Sequence, residues 1–203
     1  MQRYLRLIAA AFVLTLTFAP VAFAQSPQSE AIHYYNSGVN KYKQGDLDGA
    51  LKDLDSAIAI NPQYWKAINS RGVVERAKGD LKGALADHTL AIKLNPNNAS
   101  AYSNRGVVLR DMGDQAGALA DYAHALQLDP QDAYTYNNRG AIWADQRHFD
   151  SAIGDFTHAI ELAPNYAEAY YNRSVCRQAE GDISGAQADK AKAIQLDPRF
   201  GRL

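Results

Sequence analysis

The chain has 203 residues, of which 47% are hydrophobic and 21% charged, and its formal net charge at pH 7 is −1. This is the composition of a globular protein, and it excludes disorder of the whole chain. The near balance of charge argues against a surface that neutralises phosphates, so no nucleic acid partner is expected. A single cysteine, Cys176, excludes an internal disulfide.

Residues 1–24 have the layout of a secretory signal peptide. Arg3 and Arg6 give a basic start, residues 7–18 form an uncharged and mostly apolar run, and residues 22–24 read Ala-Phe-Ala, a typical cleavage site. The apolar run is shorter than the ~20 residues of a spanning helix, so we expect cleavage and no stable membrane span afterwards, with a retained anchor as the alternative. Cleavage would leave 19 basic against 22 acidic residues. Export is therefore predicted, to the periplasm in the first instance, with secretion as the alternative.

Beyond residues 25–30, interpreted as a short linker, one pattern of 34 residues recurs five times. The units are 31–64, 65–98, 99–132, 133–166 and 167–200, and a proline recurs near their ends at Pro62, Pro96, Pro130, Pro164 and Pro198. A glycine recurs at Gly38, Gly72, Gly106 and Gly140, and an alanine at Ala50, Ala84, Ala118, Ala152 and Ala186. A fixed period of this length indicates a solenoid in which each unit packs on its neighbours.

Each unit reads as two helices joined by a turn. In the second unit, residues spaced by three and four between positions 81 and 92 predict an amphipathic helix. Gly79 and Asp80 directly precede this helix. We expect them to form the turn, because glycine can end the first helix in the left-handed conformation and aspartate can cap the second. The same pair recurs at 45–46, 113–114 and 181–182, whereas Arg147 and His148 replace it in the fourth unit, where we expect strain. A further glycine follows each aspartate, at Gly49, Gly83, Gly117 and Gly185, and is interpreted as a site of close helix approach.

The column four residues before the first recurring glycine holds Tyr34, Ile68, Tyr102, Tyr136 and Tyr170. Together with the glycine, alanine and proline columns, it resembles the tetratricopeptide repeat (TPR) family, whose signature has these residue types in a 34-residue unit. The resemblance implies an all-α fold, a right-handed superhelical solenoid of five helix-turn-helix units, in which the column tyrosines are mostly core. It also implies a protein that binds other molecules rather than an enzyme. In the fifth unit the outward positions hold Gln187 and Lys190, so we interpret this unit as self-capping.

No catalytic or cofactor motif is recognisable in the sequence, so we predict neither enzyme activity nor a cofactor. His124 and His158 stand 34 residues apart, in the same column of adjacent units. A shared metal ion would need further ligands, which the sequence does not offer, so we interpret both as surface histidines and predict no metal site. Cys176 is interpreted as a small buried apolar residue.

A charged column recurs in each helix of the unit. The arginines are Arg71, Arg105, Arg139 and Arg173, and the aspartates are Asp53, Asp87, Asp121, Asp155 and Asp189. Asp87 can meet Arg71 of its own unit, or Asp53 can meet Arg71 of the next unit, and the sequence does not decide between them. We interpret the set as a structural ladder, with a ligand-binding role as the alternative.

The resemblance implies a concave groove formed mainly by the first helix of each unit. Its positions fall on Tyr35, Asn36, Tyr42, Lys66, Asn69, Arg76, Asn104, Arg110, Tyr134, Asn137, Asn138, Tyr171 and Asn172. The asparagines can bond the backbone of an extended peptide or join neighbouring helices, and both interpretations stay open. Tyrosine and arginine are frequent anchors of interfaces. The carboxylate clamp of some family members needs a lysine in the column of Tyr35, and that column has none.

The predicted function is that of an exported, non-catalytic adaptor that binds a peptide or partner protein in the groove. Arg76 and Arg110 provide positive charge that would suit an acidic peptide. The alternative is a scaffold of a cell-envelope assembly that associates with itself through its apolar edges.

Overall fold

The computed structural model describes residues 26–202, so the signal peptide predicted for residues 1–24 lies outside the described residues. The described part folds into α-helices that alternate with short turns. They are α1 (Pro27–Lys43), α2 (Leu47–Ile60), α3 (Trp65–Ala77), α4 (Leu81–Leu94), α5 (Ala99–Asp111), α6 (Gln115–Leu128), α7 (Ala133–Asp145), α8 (Phe149–Leu162), α9 (Ala167–Ala179) and α10 (Ile183–Leu196), followed by a 3-10 turn at Pro198–Arg202. The predicted all-α fold is confirmed.

Consecutive helices form five hairpins, and each hairpin packs on the next one. Within a unit the first and second helices are in contact, as in α3 and α4, and between units the second helix contacts the following first helix, as in α4 and α5. First helices of adjacent units also touch, as in α1 and α3 or α7 and α9. This nearest-neighbour packing is that of a solenoid.

Small side chains allow the close approach of helices within and between hairpins. The alanine column of Ala50 and a second column, Ala57, Ala91, Ala125, Ala159 and Ala193, are buried in every unit. The glycine column serves the same purpose, because a Cβ atom on Gly106 would lie only 2.7 Å from Cε1 of Tyr122. Larger side chains then fill the seams between units: Leu54, Tyr122 and Phe156 are fully buried there. In the same column of the fifth unit, Lys190 is exposed.

The turns inside the hairpins have the predicted chemistry. Gly45, Gly79, Gly113 and Gly181 have φ values between 83° and 89°. Each following aspartate caps the next helix, as where the backbone N–H of Gly83 donates to Oδ1 of Asp80 at 2.9 Å. In the fourth unit Arg147 takes the left-handed conformation with φ 62°, and the His148 side chain makes no capping bond. The turn of this unit is therefore strained, as expected.

The glycines that follow the capping aspartates do not mark close helix approach, so that interpretation was wrong. A Cβ atom on Gly83 would lie 2.6 Å from Oδ2 of Asp80, and the equivalent glycines crowd their own capping carboxylates in the same way. The glycine therefore makes room for the cap. The fourth unit agrees, because Ser151 replaces the glycine in the one unit where His148 replaces the aspartate.

Two further expectations need correction. Residues 27–30 are not linker but the first turn of α1, because Ser26 accepts a bond from the Ser29 backbone N–H and Pro27 stands at the helix start, where the fixed φ of proline is favourable. The tyrosines of the signature column are half-buried rather than core: Tyr136 and Tyr170 only flank a buried alanine cluster, whereas Ile68 is fully buried.

Candidate functional site: the groove of the first helices

The candidate site is the surface formed by α1, α3, α5, α7 and α9, called the groove below. The predicted groove residues differ in exposure. Asn36, Tyr42, Lys66, Arg76 and Tyr134 are exposed, whereas Tyr35, Asn69, Asn104, Arg110, Asn138, Tyr171 and Asn172 are half-buried and Asn137 is buried. Three of the tyrosines pack with tilted rings against aromatic residues near unit ends, in the pairs Tyr35–Tyr64, Tyr134–Tyr166 and Tyr171–Phe200, with ring centroids 4.9–5.2 Å apart.

Asn137 does not face the groove, so its place among the partner-binding residues was wrong. It is 1% exposed. Its Oδ1 accepts from Nδ2 of Asn172 at 3.1 Å, and its Nδ2 donates to Oε1 of Glu168 at 3.3 Å. The residue is satisfied between α7 and α9, and no face of it is left for a partner.

Asn69, Asn104 and Asn138 also take part in hydrogen bonds across the seams between units. Nδ2 of Asn104 donates to Oδ1 of Asn69, and Nη1 of Arg110 donates to Oδ1 of Asn138, both at 3.4 Å. The sequence left open whether these asparagines bond a peptide backbone or join neighbouring helices. In the structure of the free protein they join neighbouring helices. Bonds of this length are weak, so a ligand can replace them at small cost.

An apolar pocket lies in the groove between α1 and α3. It has a volume of about 230 Å³ and is lined by Val39, Tyr42, Lys43, Leu54, Ser70, Val73 and Val74. Leu54 comes from α2 and forms the floor, and the other residues belong to the first helices. We call this cavity the first pocket.

A second pocket repeats the first one three units further along. It lies between α7 and α9, has a volume of about 270 Å³, and is lined by Ala141, Ala144, Asp145, Phe156, Tyr171, Asn172, Val175 and Cys176. Except for Tyr171, each lining residue corresponds to one of the first pocket, displaced by three repeats, with Phe156 as the floor. Burial raises the pKa of the Cys176 thiol to about 11, so this side chain stays neutral and acts as apolar lining.

The two seams between these pockets are polar instead. In the column of Tyr42, α3 and α5 carry Arg76 and Arg110. Nε of Arg76 donates to Oδ2 of Asp111 at 2.6 Å, and Nη2 of Arg110 lies 3.8 Å from the other oxygen of the same carboxylate. One aspartate therefore serves two guanidinium groups.

The floor of the polar seams consists of His88 and Tyr122, which occupy the column of Leu54. Both side chains are fully buried. Within residues 26–202, the His88 Nε2 atom and the Tyr122 hydroxyl have no hydrogen-bond partner. Nδ1 of His88 lies 2.8 Å from Oδ1 of Asn69, which assigns the ring proton to Nδ1 and leaves Nε2 as an acceptor.

Burial controls the protonation of both floor residues. Desolvation, with Arg105 and Arg76 nearby, lowers the pKa of His88 to about 4, so the ring is neutral at pH 7. Desolvation raises the pKa of Tyr122 to about 12, with Arg110 and Asp111 among the charges that act on it. Sequence analysis missed these two residues, although a histidine in a column of Leu54 and Phe156 is a signal that comparison of the units offers.

The repeated pairs of the charged ladder join the two helices of one hairpin, and Arg71 of the second unit also donates from Nη1 to Oδ1 of Asp55 of the first unit at 2.7 Å. Arg105 donates from Nε and Nη2 to the two oxygens of Asp121 at 2.7 and 2.8 Å, and the pairs Arg71–Asp87, Arg139–Asp155 and Arg173–Asp189 repeat this geometry. In the first unit Ser37 occupies the position of the ladder arginine and lies opposite Asp53. Asp53 accepts from Ser37 Oγ at 2.6 Å and pairs with Lys41 at 2.7 Å.

Glu75 sits beside the ladder of the second unit without a good partner. Its Oε1 is 4.0 Å from Arg71, and its Oε2 is buried with no hydrogen-bond partner in the described part of the chain. Burial and the nearby Asp87 carboxylate raise the pKa of Glu75 to about 7. The other units carry Lys41, Leu109, Trp143 and Arg177 in this column, none of which is acidic.

Among residues 26–202 there is no group of three or more histidine, cysteine or acidic side chains placed to hold a metal ion. His124 and His158 are exposed and lie against the rings of Tyr102 and Tyr136 at centroid distances of 4.2 and 5.2 Å. None of the helices described has both the length and the apolar character that a membrane crossing requires.

Two family models match this chain. The model described as ETO1 C-terminal domain matches residues 66–203, more than half of the chain, and the model described as tetratricopeptide repeat matches residues 35–88. The fold and both matches define a helical-repeat scaffold of the type that typically mediates protein interactions. The chain belongs to the ETO1 C-terminal domain family, and its repeating units are tetratricopeptide repeats. No curated protein sequence matches it.

Solved structures with the same fold include PilF, MamA and YrrB. PilF of Pseudomonas aeruginosa is similar with a TM-score of 0.77 at 18% identity, over 87% of this chain and 85% of that one. MamA of Desulfovibrio magneticus RS-1 is similar with a TM-score of 0.69 at 20% identity, over 84% of this chain and 96% of that one. YrrB, described as a TPR protein with an unusual peptide-binding site, has a TM-score of 0.62 at 25% identity, over 83% of this chain and 87% of that one.

Proposed function

We propose that this protein is an exported, non-catalytic adaptor that binds an extended segment of a partner protein in the groove. The observation that carries the proposal is the pair of corresponding apolar pockets, three units apart on one continuous surface. Apolar pockets on a preformed scaffold are suitable places for the anchoring side chains of a peptide. YrrB, which has a peptide-binding site by its description, supports the choice of a peptide as ligand.

The rigidity of the scaffold supports the same proposal. The groove helices are held by alanine-lined seams and by the charged ladder, neither of which depends on a ligand. A preformed surface loses little conformational entropy on binding, so even modest contacts can give useful affinity.

Export is part of the proposal and depends on residues 1–24. We expect the periplasm as the compartment, with secretion as the alternative. N-terminal sequencing of the protein recovered from a cell-envelope fraction should give Gln25 as the first residue. Recovery of the intact chain from the cytosol would overturn this part of the proposal.

Site-specific crosslinking tests the groove. A photoreactive amino acid at Asn104 or Asn138 should yield adducts with a partner in envelope extract, and the same residue at Gln127, exposed on α6, should not. The adducts should disappear when Val73→Lys and Val175→Lys place charges in the two pockets, because burying an unpaired ammonium is unfavourable. Labelling only from Gln127 would reject the groove. Adducts between two copies of this chain would favour the self-associating scaffold instead.

A further inference from the structure

We infer that the centre of the groove is a subsite for the carboxylate of an aspartate or glutamate side chain within the bound segment, an inference that rests on the proposed function. The central subsite consists of Arg76, Arg110 and Asp111 on the surface, with His88 and Tyr122 as its floor. Contacts, burial and the position of the subsite between the two pockets support this assignment.

The surface charges leave room for one more anion. Asp111 makes a short bond to Arg76 at 2.6 Å but lies 3.8 Å from Nη2 of Arg110. The other contact of Arg110 is the long bond to Asn138 at 3.4 Å. Two guanidinium groups thus share a single carboxylate, and a second carboxylate would complete the pairing of Arg110. Guanidinium and carboxylate groups match in geometry and form the strong class of hydrogen bonds in proteins.

The floor adds hydrogen-bonding atoms that the fold itself does not use. A buried hydroxyl or ring nitrogen without a partner is unfavourable, and such atoms are rare in folded proteins. Leu54 and Phe156 in the same column of other units demonstrate that apolar residues fit this place. The Tyr122 hydroxyl can donate to a carboxylate oxygen, and Nε2 of His88 can accept from a backbone N–H of the same segment.

The position of the subsite decides between two sources of a carboxylate. Apolar pockets flank it on both sides, so the bound chain continues in both directions and its terminus does not lie at the centre. The acidic group is therefore a side chain. First helices about 8–10 Å apart place the two pockets roughly 24–30 Å from each other. An extended chain covers that distance in about 7–9 residues, with the acidic residue near the middle.

Synthetic peptide pools test the inference. The probes are fluorescent peptides of about 13 residues with blocked termini and leucine about four residues to each side of a central glutamate, glutamine or lysine. The remaining positions are a mixture of small polar residues. A fourth pool ends at the central glutamate with a free terminal carboxylate. Fluorescence anisotropy with the purified protein gives the dissociation constant of each pool.

The expected result is that the blocked glutamate pool binds about tenfold more tightly than the glutamine pool, as for one charge-assisted bond, and that the lysine pool binds most weakly. Arg110→Gln should remove the preference for glutamate over glutamine. Tyr122→Phe should reduce it severalfold while the melting temperature stays equal or rises, because only the unpaired hydroxyl is lost. Lys93→Gln, which removes an exposed cation on α4 outside the groove, is the matched control and should retain the preference.

The outcomes separate the inference from the proposed function. Equal binding of the glutamate and glutamine pools, abolished by Val73→Lys and Val175→Lys, would overturn the carboxylate subsite and leave the peptide-binding groove intact. Tighter binding of the pool with the free terminus would overturn the assignment to a side chain. Absence of binding by every pool would overturn the subsite and also count against peptide binding in the groove.

Discussion

Two columns of the repeat hold residues of different chemical type from unit to unit, and at the residue scale these differences distinguish one unit from another. The floor column holds Leu54, His88, Tyr122, Phe156 and Lys190, and the neighbouring ladder column of Glu75 alternates between cations, an acid and apolar residues. Where a buried side chain differs from the equivalent residues of other units, those residues show which side chains the position accepts. Replacing the side chain by its equivalent is therefore a well-controlled test of its effect on stability.

Tyr122→Phe should stabilise the free protein. The hydroxyl is fully buried with no partner among the described residues, and Phe156 occupies the same column one unit later. Removing an unsatisfied hydroxyl without leaving a large cavity should raise the free energy of unfolding by about 1 kcal/mol in urea titrations. Tyr102→Phe, at a half-buried position, is the control and should change little. A loss of stability in Tyr122→Phe would mean that the hydroxyl is satisfied in solution.

Glu75→Gln should change the pH dependence of stability. The pKa of Glu75 is raised from 4.5 to about 7 in the folded protein. The contribution of Glu75 to the free energy of unfolding is therefore most favourable below pH 4.5 and is lost as the pH rises through 7. Wild type and variant should unfold at similar urea concentrations near pH 4.5, and above pH 7 the variant should be more stable by on the order of 1 kcal/mol.

His88 also titrates, so its effect on the pH dependence of stability must be separated from that of Glu75. The depressed pKa of His88 makes stability fall as the pH drops from 6.5 toward 4, which is the opposite sign. Since His88 is present in both proteins, the difference between them isolates Glu75. Glu75→Leu, which copies Leu109 of the third unit, should behave like the glutamine variant at high pH. Parallel pH profiles of wild type and both variants would contradict the prediction.

At the element scale, each hairpin is determined by its turn, its cap and its ion pair. Five turns join first to second helices, and four of them share a left-handed glycine, a capping aspartate and a second glycine that leaves space for the cap. The fourth turn lacks all three yet keeps the same backbone path, with Arg147 at φ 62°. The packing of α7 on α8 therefore dictates a turn that the local sequence disfavours.

Arg147→Gly should stabilise the fourth hairpin by about 1 kcal/mol, because glycine adopts positive φ without the steric penalty of a side chain. Adding His148→Asp should contribute a further ~0.5–1 kcal/mol through a new cap. The gain from the cap should be larger when Ser151→Gly is present, since a Cβ atom at this position crowds the capping carboxylate in the other units. Denaturant midpoints of the single, double and triple variants measure each step. The converse substitution, Gly113→Arg, should cost what Arg147→Gly gains.

At the scale of the whole molecule, stability is shared between neighbours along a one-dimensional array. An interior hairpin contacts units on both sides, so damage there affects the cooperative unfolding of the array, whereas damage in the last described hairpin affects one seam only. The ladder offers a comparison of the two situations, because the same ion pair occurs in the third and the fifth unit.

Arg105→Ala should lower the melting temperature more than Arg173→Ala. Loss of Arg105 leaves Asp121 buried without a cation, which costs about 3 kcal/mol, whereas Asp189 keeps Arg177 at 2.9 Å when Arg173 is removed. Hydrogen exchange should place the effect of Arg173→Ala in α9 and α10 and that of Arg105→Ala over several units. Equal melting curves for wild type and Arg105→Ala would contradict a structural role of the ladder.

The sequence was sufficient for the features that every unit repeats. The glycine and aspartate of four turns, the alanine columns and the 34-residue period predict hairpins and their stacking, because those residues act locally or in every seam. The rotation of each helix about its axis is not a local property, so the burial of Asn137 and the half-exposure of Tyr136 could not be read from the sequence. His88 and Tyr122 stand out in the sequence only when the floor column is compared between units, and their role depends on the contact between adjacent units.

The correspondence of the two pockets, which lie three repeats apart, fixes the spacing between the ligand side chains that the groove can accept. The separation of the pockets equals a whole number of repeats, so the spacing between the two anchoring residues of a ligand is set by how many units lie between them. Duplication of residues 99–132 would add one helix-to-helix step of about 8–10 Å, and peptides with anchors about three residues further apart should then bind best. Measured with the peptide pools, this variant would change the preferred ligand length while leaving both apolar pockets intact.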